Sequence, residues 1–457
     1  MLTDIFGNDV SLETTAAVES WNKMQLGFLA HAAITPTHLM DVIEREPQFA
    51  AAQALKGLFY LMLGRKELRQ TSVEANAAAQ AAMKQAMPTA RERAFVDALG
   101  MWLSGNPRAA RDRIEEVLVF APMDSLAMKI SQAISFILGD ANTMRGSIEN
   151  VIDTYDAQHA GRGYLLGCYA FALEETGEYR RAEKTGREGM LLAPDDAWGL
   201  HAVAHVYEMT ANSKGGLDWL SSRESAWEHC NNFRYHVWWH KALMHLDEGQ
   251  IDVVMDLYDN EIRKDKTDDY RDISNATSLL SRLELEGVDV GNRWEELADL
   301  SENRTEDGCL IFADLHYMLA LVGGDREDAV KTMMSRMHKD AKMCKSDIQK
   351  AMAEPGIAAA TGLEAFGESD YKTAFVNLSQ ARRNMQDAGG SHAQRDVFER
   401  LTIDAGIRSG FLNEAEAILN ERKAKRNGAE DTYASVRFEM IAAGRGDGNL
   451  SLQMPAE

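Results

Sequence analysis

The chain has 457 residues, a formal net charge of −22 and 45% hydrophobic residues, with only 8 prolines. That length exceeds what one small core needs, the composition is ordinary for a globular protein, and scarce proline favours helix. The acidic balance argues against a nucleic-acid or anionic-membrane partner, since both ask for a basic face.

The N-terminal stretch shows no basic segment followed by an apolar one, so no secretory leader is expected. No apolar run reaches the roughly eighteen residues of a membrane span. The four cysteines, Cys168, Cys230, Cys309 and Cys344, form no C-x-x-C pair. They read as reduced thiols inside helices, which points to a cytoplasmic protein.

Residues 1–50 read as an irregular N-terminal helical segment packed on a helical solenoid, with apolar spacing interrupted at Pro36 and a break at Pro47. A repeat pattern takes over from about Arg91. Ala98, Gly105, Pro107, Ala110 and Pro122 recur at helix–turn–helix spacing, and Tyr164, Gly177, Tyr179, Ala182 and Pro194 repeat it. Small residues let two helices approach, Gly ends the first helix, and Pro ends the second. This is the 34-residue tetratricopeptide pattern. Weaker copies occur at Trp238 with Gly249, Gly324 with Ala329, Tyr371 with Ala374, and Gly410 with Ala415. No alternation long enough for a sheet occurs. The expected fold is all-α, a tetratricopeptide-like α-solenoid over 51–430 (a right-handed superhelix of roughly seven or eight helix pairs). A C-terminal helix and frayed tail are expected over 431–457.

Two segments concentrate the candidate chemistry. Six of the twelve histidines lie between His201 and His245. His201 and His205 are four residues apart, with Glu208 three further on, and His236 and His240 repeat the spacing. On a helix, such pairs share one face. In a tetratricopeptide unit the first helix lines the inner surface through its second, fifth, ninth and twelfth residues. Counted from Ala197, these are Trp198, His201, His205 and Glu208. Counted from Tyr235, the next unit places His236 and Trp239 there, with His240 one residue off register.

Three readings compete. In the first, His201, His205, His236 and His240 ligate a divalent metal such as zinc, with Glu208 as general base of a hydrolase-like reaction. In the second, they form a pocket for a small molecule or a peptide end, with Trp198, Trp238 and Trp239 as walls. In the third, they are structural and hydrogen-bonded to neighbouring helices, in a plain protein-interaction scaffold. Whether the chain is an enzyme stays open, as does homo-oligomerisation. Secondary ligand-binding candidates are Asp314, placed on the inner face if Gly324 ends its helix, and His392 with Arg395, where Gly389-Gly390-Ser391 opens a helix. The alternative there is an N-cap by Ser391. His316 reads as core.

Several of these stretches resemble the tetratricopeptide repeat protein 38 family. They are Leu173-Glu-Glu-Thr-Gly-Glu-Tyr179, Asp195-Asp-Ala-Trp198 with His201-Ala-Val-Ala-His205-Val-Tyr-Glu208-Met209, and His236-x-Trp238-Trp239-His240-x-Ala-Leu. Asp314-Leu-His316 and Ser391-His392-Ala-Gln394-Arg395-Asp396 resemble its C-terminal half. The resemblance spans about residues 50 to 425. It implies a helical-repeat protein found in soluble form, with these His, Trp and Asp positions as family features. It supplies no substrate. The chain departs at Ala211-Asn212-Ser213, where the repeat usually carries a Gly turn.

Overall fold

Turn chemistry explains where most helices stop. Gly105, Gly177, Gly249 and Gly410 all sit at turns with φ between +70° and +87°, a left-handed conformation that glycine adopts without a Cβ clash. The structure is a computed structural model that describes residues 1–85 and 87–446. Chain contacts divide it into two compact units.

Unit 1 comprises Met1–Val203, Ser222–Val237 and Lys345–Asp347. It begins with a two-residue antiparallel hairpin, Leu2–Thr3 with Asp9–Val10, which the sequence pattern does not announce. Its helices are α1 (Thr15–Leu29), α2 (Thr35–Arg45), α3 (Ala50–Met62), α4 (Leu68–Gln85), α5 (Ala90–Leu103), α6 (Pro107–Phe120), α7 (Ser125–Ile137), α8 (Ala141–Val151), α9 (Arg162–Glu175) and α10 (Tyr179–Leu192). Pro36 does not interrupt a helix but starts α2, where its missing N–H costs nothing. Neighbours pair as α1 with α2, α3 with α4, α5 with α6, and α9 with α10, while α3 also packs on α5 and α7 on α9. A buried ion cluster ties the hairpin to the repeats, because Arg91 of α5 reaches Asp4 at 3.1 Å and Asp124 Oδ1 at 3.0 Å.

Helices α11 (Ala197–Met209), α12 (Ser213–Leu220) and α13 (Phe233–Asp247) come next. Both α11 and α13 start among the residues of unit 1 and continue without a break among those of unit 2.

Unit 2 comprises Ala204–Ser221, Trp238–Cys344 and Ile348–Glu457. Its further helices are α14 (Ile251–Leu257), α15 (Tyr270–Leu285), α16 (Arg293–Glu302), α17 (Ile311–Gly323), α18 (Glu327–Met343), α19 (Asp347–Ala351, which begins in unit 1), α20 (Ile357–Gly367), α21 (Tyr371–Arg382), α22 (His392–Arg408), α23 (Leu412–Lys425) and α24 (Thr432–Gly444). Here α15 packs on α17 and α17 on α20, while α22 contacts α21, α23 and α15. The fold is therefore all-α, a tetratricopeptide-like α-solenoid of stacked helix pairs.

Three turns lack the glycine that the repeat would supply. Asp325 rather than Gly324 takes the left-handed position after α17, at φ +55°. Ser369 does so after α20. After α11 it is Ala211, at φ +50°, and the Asn212 side chain then caps α12 by accepting from Gly215 N–H at 3.1 Å. The cysteines differ from expectation: Cys168 is buried in α9, Cys230 is buried in a loop, Cys309 is half-buried in a loop, and Cys344 is exposed as the cap of α18. The expected frayed tail beyond Gly446 lies outside the described residues.

Candidate functional site

Helix α11 starts at a buried carboxylate. Burial pushes the pKa of Asp196 up to about 7, opposed by Lys129. Gly167 of α9 and Gly199 leave room for it, since a Cβ on Gly167 would fall 1.9 Å from Asp196 Oδ2. Helix α13 starts after Asn231, whose side chain accepts from Phe233 N–H at 3.0 Å. These starts set the phase of two helices that each carry a histidine pair.

In unit 1 the rings of His201 and His236 are 5.3 Å apart, and in unit 2 those of His205 and His240 are 4.3 Å apart. Along each helix the four-residue spacing places one pair a turn from the other. The rings are buried: His205 and His240 are 0% exposed, His201 1% and His236 8%.

Hydrogen bonds orient two of these rings. His201 Nδ1 lies 2.8 Å from Trp198 O. A carbonyl can only accept, so Nδ1 carries the proton and Nε2 the lone pair. His240 Nδ1 lies 3.0 Å from Glu208 Oε2, so the ring and the carboxyl share a hydrogen bond, and an ionised Glu208 accepts it from Nδ1–H. Burial pushes the Glu208 pKa up, while His205, Arg426 and Arg282 oppose that. The ring of His201 is further held by Phe171, stacked at 5.4 Å, and Phe233, edge-on at 5.0 Å.

Trp198 belongs to an aromatic wall of unit 1, beside Phe171 at 4.7 Å and Phe233 at 5.5 Å, with Lys129 4.9 Å above its ring. His31 extends the wall by stacking on Phe233 at 4.7 Å. Neither His31 nor Phe233 was singled out from the sequence, because His31 lies 170 positions before His201 in no motif. Trp239, expected on the inner face, is fully buried against Arg282, whose guanidinium carbon lies 5.5 Å from its ring. Trp238 instead lies under Lys241.

The remaining candidates stand elsewhere in unit 2. Asp314, expected to contact ligand, gives both carboxylate oxygens to Arg336, at 2.8 and 2.9 Å, in a buried bidentate pair. The reason is the next helix, α18, which brings Arg336 onto it. His316 is core: its Nδ1 donates to Phe312 O at 2.7 Å, and burial lowers its pKa to about 4. His392 and Arg395 line a cavity of about 180 Å³, together with Arg382, Arg422 and Arg426. Ser391 and Gln394 form the capping box of α22, and Arg395 folds back to donate to Gly389 O at 3.1 Å.

No family model matches the chain. Similar solved structures include the human IFIT1 dimer with PPP-AAAA, at 12% identity and TM-score 0.40, covering 95% of this chain and 96% of that one. The human IFIT1 dimer with m7Gppp-AAAA gives 13% and 0.40, with 93% and 95% covered. At such identities no ligand transfers to this chain. The exclusion of a nucleic-acid partner is nevertheless corrected, because structures among these neighbours hold RNA. The physical reason is that net charge sums over a whole chain, whereas recognition depends on the local face. Among the described residues no helix is long and apolar enough to cross a membrane.

Proposed function

We propose that this is a metal-binding helical-repeat protein, whose His201, His205, His236 and His240 hold one divalent ion of the zinc class. What supports the reading is two buried imidazole pairs borne by the same two helices, His201 with His236 and His205 with His240, whose ring centres are 5.3 and 4.3 Å apart. A tetrahedral zinc ion takes imidazole nitrogens at about 2.0–2.1 Å, and buried neutral histidines are among its usual ligands. Burial at 0–8% exposure suits an ion better than an organic molecule or a peptide end. The Nδ1 bonds to Trp198 O and to Glu208 are the outer contacts that metal-ligating histidines make, fixing tautomer and ring plane.

Four protein nitrogens fill a tetrahedral zinc ion, whereas catalytic zinc keeps a position open for water. The arrangement therefore favours a metal that organises α11 and α13 over a hydrolytic centre, and Glu208 acts as a positioning residue for His240. The specific likeness to the tetratricopeptide repeat protein 38 family rests on the histidine-bearing motifs themselves and adds no reaction.

Elemental analysis tests the reading. Protein stripped with chelator and reconstituted with Zn²⁺ should retain near one equivalent per chain, and His205→Ala/His240→Ala should retain none. No stoichiometric metal in the unmodified protein refutes it.

A further inference from the structure

Deep in unit 1, two buried side chains of opposite charge stand near each other without an ion pair forming. Lys129 of α7 is 4% exposed, and Asp196, at the start of α11, is 1% exposed. The Lys129 ammonium donates to Cys168 Sγ at 3.7 Å and lies 4.9 Å from the centre of the Trp198 ring. Burial pushes the Cys168 thiol up to about 11, so it stays neutral and supplies no anion. An aromatic face compensates a buried cation only in part. Among the described residues no carboxylate reaches ion-pair contact with Lys129, and no hydrogen-bond donor meets either oxygen of Asp196. The two are still close enough for the ammonium to oppose the rise in the Asp196 pKa.

Burying a charge without a partner is costly, so two such groups in one place call for something between them. A guest with one charge of each sign satisfies both and leaves the net charge of the unit unchanged. The surroundings suit the rest of such a guest. Trp198, Phe136 and Phe233 are each only half-buried, and the rings of Phe136 and Phe233 stand 5.6 and 5.5 Å from that of Trp198. No acceptor meets the indole N–H of Trp198. An apolar group can lie against this wall while its charged end sits at Lys129 and Asp196.

We propose that unit 1 binds a free α-amino acid here, its carboxylate on Lys129 and its ammonium on Asp196, with an apolar side chain against Trp198, Phe136 and Phe233. The paired charges set the ligand class, and the aromatic wall selects within it. The site uses no histidine ring and does not rest on the metal reading.

Calorimetric titration of full-length protein with L-leucine and with L-phenylalanine tests this. Each is compared with the analogue lacking its ammonium and the analogue lacking its carboxylate, which for leucine are 4-methylpentanoate and 3-methylbutylamine. At least one amino acid should bind, and at least roughly tenfold more tightly than either of its analogues, because each analogue leaves one buried charge unpaired. Lys129→Met and Asp196→Asn should each weaken that binding at least roughly tenfold. Both replacements nearly conserve volume, an unchanged circular dichroism spectrum shows that each is folded, and the analogue series needs no variant. No binding of either amino acid, analogues that bind as tightly, or unchanged affinity in either folded variant overturns the proposal. Zinc content measured on the same samples reports on the histidine pairs separately, so failure of the amino-acid site is distinguishable from failure of the metal reading.

Discussion

At the scale of single residues, hydrogen-bond direction decides what each histidine can do. The pairs at His201/His205 and His236/His240 were legible from spacing alone, because four residues span about one helical turn. The carbonyl and carboxylate that fix two Nδ1 protons were not, since they depend on helix phase and on packing of α11 against α13. Glu208→Gln should lower zinc affinity by about 10–100-fold, the usual cost of removing an outer carboxylate, with little change in helix content. A competitive titration against a chromophoric chelator measures this, and an unchanged affinity would remove the orienting role. Ala211 provides a second residue-level prediction. It sits at φ +50°, where an L-residue costs about 1–2 kcal/mol, partly offset in glycine by a freer unfolded chain. Ala211→Gly should therefore stabilise the protein by about 1 kcal/mol in denaturant titration, and a loss of stability would contradict it.

At the scale of elements, the repeat was readable wherever glycine marks the turn. It blurred where Asp325, Ser369 or Ala211 takes over the left-handed position, because those residues carry no turn signal of comparable strength. Gly177→Val should cost about 2–3 kcal/mol, because φ is +82° there and a β-branched residue resists that region, although a Cβ would meet nothing within 4 Å. Thermal unfolding checks it, and near-neutral behaviour would show that the turn relaxes. The misplaced Trp239 has a simple origin. Helix α13 begins at Phe233, two residues before Tyr235, and aligning His236 and His240 with His201 and His205 puts residue one at Asn232. That register puts Phe233, His236 and His240 at the second, fifth and ninth places, matching Trp198, His201 and His205. Trp239 then turns toward Arg282. The N-terminal hairpin was invisible because two residues per strand carry no alternation.

At the scale of the whole molecule, charge misled. A net −22 argued against a nucleic-acid or anionic-membrane partner, yet unit 2 gathers Arg400, Arg422 and Arg426 around Asp396 and Asp431. One contact of this cluster, from Arg426 to the carbonyl of Glu208, spans 218 positions of the chain and is invisible in the sequence. The same cluster sets a pH dependence. Burial raises the pKa values of Asp396 and Asp431, but Arg422, with Arg400 and Arg426, outweighs it and holds both well below the ordinary range. A carboxylate depressed in the folded state contributes stability above its unfolded pKa of about 3.9, and loses it as pH falls through the lower folded value. From these groups, stability should stay level between about pH 7 and 5 and decline below about pH 4. Asp431→Asn should cost about 3–5 kcal/mol at neutral pH and flatten that decline, since it strands buried arginines. Urea titrations across pH measure both effects, and an unchanged acid profile in the variant would contradict them.

The most direct measurement of the central claim is a cobalt titration of metal-free protein followed by visible absorption. The tetrad should bind Co²⁺ to saturation at one equivalent, with the intense d–d bands of a tetrahedral four-nitrogen site, and Zn²⁺ should bleach them. Only the weak spectrum of hydrated cobalt, unchanged between the wild-type chain and His205→Ala/His240→Ala, would contradict the account.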